Sequence, residues 1–112
     1  VRRSYLVKKF AFWLLFTFSL NFSTSAISGD PVAGANKYNA KCKQCHGPAG
    51  KGIASYPRIY GKEISYVRSR LQTYRSGKEV GANSALMIMM AKPLTDEEIE
   101  NLAAYLKDAR PE

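Results

Sequence analysis

Two cysteines occur in 112 residues, Cys42 and Cys45, and the only histidine, His46, directly follows the second of them. Thiols three positions apart share one face of a helical turn, and the residue after them lies on the same side. Cys-x-x-Cys-His is the run that attaches a c-type haem: the thiols add to the two vinyl groups of one porphyrin and the imidazole ligates its iron. A chain carrying this run has to fold around the macrocycle. With no second histidine, a bis-histidine haem is excluded, and the sixth position falls to Met, Lys, water or nothing.

Other uses of the same residues fail on ligand count or context. A structural zinc site takes four N or S ligands, and two Cys and one His make three. A thioredoxin-like dithiol belongs in a βαβ setting, whereas the flanks here read as helical. A disulfide closing so short a loop would restrain almost nothing.

Residues 1–26 read as an export signal rather than as part of a domain. Arg2, Arg3, Lys8 and Lys9 form a basic start, Phe10 to Phe22 an apolar middle, and Thr24-Ser25-Ala26 a small-residue end. This order suits cleavage after Ala26. The unbroken apolar run before Asn21 is well short of the roughly 20 residues that span a bilayer. A membrane association is expected only if the signal stays uncleaved. Residues 27–112 then form one domain, in the periplasm. The signal holds four of the 17 basic side chains and none of the nine acids, so the domain carries +4 rather than +8. That balance is what a solvated surface shows, and no nucleic-acid partner is expected from it. About 86 residues make a marginal core by themselves, and a large apolar group bonded to the chain would enlarge it.

Local signals set the elements. Asp30 followed by Pro31 is a helix start, with a side-chain cap and a first position that needs no N–H. Gly34 and Tyr38 lie four apart on one face, and the glycine allows another backbone to approach. Gly47, Pro48, Gly50 and Gly52 mark a loop. It contains no Gly-Lys-Ser/Thr, so it is not a phosphate-binding loop. Tyr56-Pro57-Arg58-Ile59 is extended, since the residue before a proline avoids the α region. Ile64, Val67, Leu71 and Tyr74 recur at helical spacing and Gly77 ends the pattern, with Arg68, Arg70 and Arg75 on a face expected to meet solvent. Leu86-Met87-Ile88-Met89-Met90 holds all three methionines. Methionine is usually core filler, but a haem with one histidine lacks a thioether ligand. Met87 and Met90 share a helical face, so spacing alone leaves both open. Thr95 and Glu98 form a capping box, and Ile99, Leu102, Ala103 and Leu106 make the buried stripe of the last helix.

Taken together, Cys-Lys-Gln-Cys-His, the Gly-Pro-Ala-Gly-Lys-Gly loop, Tyr-Pro-Arg-Ile and the closing Met-x-x-Met-Ala-x-x-Leu-Thr-Asp-Glu-Glu-Ile-x-x-Leu-Ala-x-Tyr-Leu resemble class I cytochromes c. The chain is most similar to small bacterial monohaem forms and to single domains of tandem dihaem forms. The resemblance implies an all-α fold, with three main helices wrapped around one covalent haem and the first and last crossing near Gly34, Tyr38 and Tyr105. It implies that haem c is held by Cys42 and Cys45 and ligated by His46, whose free ring nitrogen donates to the carbonyl of Pro57. It also implies Met87 as sixth ligand, seven residues before Leu94. Pro93, where several relatives carry Gly or Asn, leaves the turn before the last helix open. A His/Met haem has no open site and favours a high potential. The expected function is therefore electron transfer and not catalysis, as a free carrier or as a subunit of a redox complex. Its partners would be a reductase or dehydrogenase donor and an oxidase or other acceptor. The alternative is a five-coordinate haem protein for NO, CO or peroxide, in which all three methionines only pack.

Overall fold

The computed structural model describes residues 27–112; the signal expected over residues 1–26 lies outside the described residues. Five α-helices follow in order: α1 (Pro31–Lys41), α2 (Lys43–His46), α3 (Ile64–Arg75), α4 (Ser84–Ala91) and α5 (Asp96–Asp108). A 3-10 turn (Pro48–Gly50) lies between α2 and α3. Among the described residues there is no strand, only a single bridge between Ile53 and Tyr56. The fold is all-α, and α1, α3 and α5 are its three longest helices.

Both ends of the helical order start as their caps dictate. Asp30 accepts from the N–H groups of Val32 and Ala33 at 2.8 and 3.3 Å, and Pro31 takes the first position of α1. At α5 the capping box is complete, with Thr95 N–H donating to Glu98 at 2.9 Å and Glu98 N–H to Thr95 at 3.1 Å. Asp96, Glu97 and Glu98 in that first turn suit the positive end of the helix dipole. α3 ends at Gly77, whose φ of +86° is the left-handed conformation that closes a helix.

The crossing of α1 over α5 is the most extensive helix contact, and Gly34 makes it possible. A Cβ there would sit 2.0 Å from the carbonyl oxygen of Asn101 and 2.9 Å from Cβ of Tyr105. Four residues on, Tyr38 is fully buried and its ring lies 5.3 Å from that of Tyr105, tilted by 46°. Leu102, Ala103, Leu106 and Val67 complete the core around Tyr38. Asn101, a polar residue not expected inside, is buried beside the crossing and accepts from the N–H of Asp30 at 2.7 Å.

α3 packs on α5 and on α4. Two of its arginines, expected to face solvent, reach across instead. Arg68 pairs with both carboxylate oxygens of Glu100, its second contact at 2.8 Å. Arg75 donates to the carbonyl of Leu94 at 3.1 Å and to Asp96 at 2.6 Å, holding the turn between α4 and α5. In that turn Lys92 stays in the α region (φ −53°, ψ −43°) although Pro93 follows it, a conformation a proline disfavours in the residue before it, and Leu94 N–H donates to the Ala91 carbonyl at 3.0 Å. Arg70 stays at the surface over the ring of Tyr66.

Candidate functional site

α1 stops at Cys42, whose φ of −110° breaks the helical line, and the chain restarts at once as the single turn of α2. The two cysteines are therefore on different elements one residue apart, Cys42 half-buried at the end of α1 and Cys45 exposed on α2. Burial pushes the Cys42 thiol up to about 11; Lys37 opposes the rise and Cys45 adds to it. Both thiols are free.

His46 is buried, 7 % exposed, and Gly47 ends its turn with φ +80°. The loop that follows returns to it from two directions. Gly52 N–H donates to the carbonyl of His46 at 2.6 Å, and the carbonyl of Pro57 lies 2.9 Å from Nδ1 of the ring. A carbonyl can only accept, so Nδ1 carries the proton and the lone pair is on Nε2. Among the described residues Nε2 has no hydrogen-bond partner, and it is not sealed from solvent. The imidazole is thus fixed in the tautomer and orientation that a metal ligand needs.

The loop keeps this shape through backbone bonds. Gly50 accepts from the N–H groups of Ile59 and Tyr60 at 2.8 and 3.3 Å, and Gly61 N–H ties the far limb to Leu106 of α5 at 2.8 Å. Ala49 and Ala54, with φ of +51° and +52°, adopt the left-handed region without being glycine. Such strain costs about 1–2 kcal/mol per residue and is held by the closed loop around it.

Met87 lies within α4 and is half-buried. α4 runs as a helix over Ser84–Ala91. Its start is organised by buried Ser84, whose Oγ accepts from the N–H groups of Val80 and Gly81, both at 2.8 Å. The helix packs chiefly on α3, and Met87 and His46 stand on different helices. Met89 is 62 % exposed and Met90 38 %. Those two line a hollow of about 300 Å³ with Lys37, Lys41, Pro93 and Leu94.

The residues present fit a haem. Two free thiols and an imidazole with its lone pair on Nε2 supply the attachment and one axial bond. Leu86, Met89 and Met90 on α4, and Ile53 and Tyr56 on the loop, leave apolar surface uncovered, while among the described residues only Tyr38, Ile99 and Leu102 are large and fully buried. That surface suits a flat apolar macrocycle. Among the described residues no three His, Cys, Asp or Glu side chains gather as a metal cluster. No helix among them is long and apolar enough to cross a membrane.

Comparison with known proteins agrees. The family model described as Cytochrome c matches residues 31–110. The chain is 43 % identical over 79 residues to cytochrome c-554(548) of Halomonas halodenitrificans, covering 70 % of this chain and 94 % of that one. It is 40 % identical over 78 residues to cytochrome c4 of Thiocapsa roseopersicina, covering 69 % of this chain and 38 % of the relative. The solved structure of cytochrome c4 from Acidithiobacillus ferrooxidans superposes with a TM-score of 0.62 at 26 % identity, over 76 % of this chain and 52 % of that one. The chain thus spans about half of that structure.

Proposed function

This chain belongs to the cytochrome c family, and on that premise we propose that it carries single electrons in the periplasm through one haem c with His46 and Met87 as axial ligands. Haem c, bonded to Cys42 and Cys45, supplies a one-electron iron couple. The chain's own residues set the terms on which it does so. His46 offers Nε2 because the Pro57 carbonyl occupies Nδ1–H, and that one observation carries the reading. The bond raises the basicity of the imidazole and holds its ring plane. The crossing of α1 and α5 and the loop after His46 keep the protein side rigid, so little has to rearrange when the charge changes by one. Met87, half-buried on a helix other than that of His46, is the thioether the reading assigns as second ligand. The whole protein serves as a free carrier or as the cytochrome subunit of a redox complex, exchanging electrons with a donor reductase or dehydrogenase and an acceptor such as an oxidase.

The test is Met87→Ala beside Met89→Ala and Met90→Ala, each followed by visible spectrum and midpoint potential. Met87→Ala should lose the weak far-red band of sulfur-ligated ferric haem, bind CO when reduced, and fall in potential, because a thioether favours the ferrous form. The other two should keep the band. Fast CO binding by the unsubstituted protein, with no far-red band, would instead establish the five-coordinate alternative.

A further inference from the structure

We infer that the hydroxyl of Tyr38 is a positioning group for His46, fixing through Gly47 the loop whose Pro57 carbonyl orients the imidazole. Tyr38 is 0 % exposed, and its hydroxyl donates to the carbonyl of Gly47 at 2.6 Å. Gly47 is the residue after His46, so the bond acts on the peptide that joins the histidine to its loop.

The loop is otherwise bonded mostly to itself. Gly52 N–H reaches the His46 carbonyl, and Ile59 and Tyr60 donate to Gly50. Among the described residues, its ties to the long helices are the Gly61 N–H to Leu106 and the Tyr38 hydroxyl to Gly47. The first holds the limb beyond Pro57, and the second holds the limb next to His46. Only the second comes from a side chain.

The tyrosine is itself rigid. Its ring is packed against Tyr105 at the point where Gly34 lets the helices touch. A phenol in that place transmits the position of the α1–α5 crossing to the Gly47 carbonyl. Burial also pushes its ionisation up to about 12, partly offset by the backbone N–H of Gly50, so the hydroxyl remains a donor at any physiological pH. Phenylalanine would keep the packing and remove only this bond. The buried Gly47 carbonyl would then keep only the long contact from the Gly50 N–H at 3.4 Å, the limb would shift to improve it, and the Pro57 carbonyl would hold Nδ1–H less constantly. A weaker bond at Nδ1 makes Nε2 less basic, which disfavours the more highly charged ferric state.

The inference rests on His46 as iron ligand, and the spectrum of the unsubstituted holoprotein checks that separately, before any variant is made. The test compares holoproteins carrying Tyr38→Phe and Tyr105→Phe, the second removing a hydroxyl from the neighbouring ring. Tyr38→Phe should raise the midpoint potential. By NMR it should also speed exchange of the His46 ring N–H and the Gly52 amide roughly three- to tenfold, the factor that one lost hydrogen bond represents. Tyr105→Phe should move neither. Equal effects in both variants, or none in Tyr38→Phe, would overturn the inference and leave Tyr38 as packing only. Should Tyr38→Phe fail to accumulate with haem, the unsubstituted protein decides. A slowly exchanging Tyr38 hydroxyl proton with a cross-peak to Gly47 supports the inference, and a fast-exchanging one refutes it.

Discussion

Replacing Gly34 by alanine sets two effects of opposite sign against each other. On helix propensity alone, alanine inside α1 should stabilise the protein by about 1 kcal/mol. The crossing opposes this, because the new Cβ would meet the Asn101 carbonyl oxygen at 2.0 Å where ordinary contact begins at 3.4 Å. The obstacle is backbone and cannot rotate away, so α1 and α5 must part by about 1 Å. A fully buried side chain makes some 40–60 heavy-atom contacts worth about 0.1–0.2 kcal/mol each, and a 1 Å gap forfeits about half of every contact that crosses it. Tyr38 and Leu102 flank the crossing and are both essentially buried. With about half of their contacts across the gap, each loses about 2 kcal/mol. Partial relaxation and the propensity gain reduce the sum, leaving a net destabilisation of about 2–3 kcal/mol, within the usual range for overpacking. For a domain of this size that lowers the melting temperature by about 10–20 °C. Guanidinium unfolding of the ferric holoprotein measures it, with Ala35→Gly at the neighbouring half-buried position as the control that loses about 1 kcal/mol of propensity and adds no atom to the crossing. A Gly34→Ala protein as stable as the unsubstituted one, or more so, would show that the helices do not depend on close approach.

Glu100 and Glu98 both have their carboxyls held below the usual range, Glu100 by its hydrogen bonds from Arg68 and Glu98 by Lys37 and the Thr95 backbone. Lowered folded values mean that these pairs stabilise the fold above the ordinary carboxylate pKa, and that this is lost as pH falls through the folded values. Glu100→Gln should cost about 1 kcal/mol at neutral pH and nothing well below the carboxylate range; an equal cost at both, from denaturant curves, would contradict the ion-pair account. Mass spectrometry of the exported protein should give Ile27 as first residue with one haem added, and a membrane-bound protein that retains residues 1–26 would contradict cleavage.

What the sequence made legible was chemistry confined to neighbours. The caps at Asp30 and Thr95 and the stop at Gly77 are local, and each stands where its residues put it. The crossing at Gly34, Tyr38 and Tyr105 came through family likeness, because nothing local names the partner of a glycine. Pairings across the chain had no local sign. Arg68 and Arg75 look like a solvated face until α5 is placed beside them, 32 and 21 residues away. Asn101 adjoins the apolar stripe, and only its bond to Asp30 explains its burial. α4 was hidden for a different reason: Ser84–Ala91 is apolar on every side, so it has no periodicity to read. The left-handed Ala49 and Ala54 were illegible as well, since alanine gives no hint of a positive φ.

The bond from Asp30 to Asn101 joins positions 71 apart, and nearly the whole domain lies between them. Closing a free loop of that length costs about 4 kcal/mol of chain entropy, so the clasp forms only when the helix crossing forms with it. Terminal helices in many domains fray while the interior persists. Here the first helix cannot peel off alone: its departure exposes the stripe of the last helix and takes with it the peptide that carries Cys42 to His46. Hydrogen exchange across the domain should therefore report one cooperative unit in place of a graded series of openings, with the haem attachment site opening only when the whole unit does.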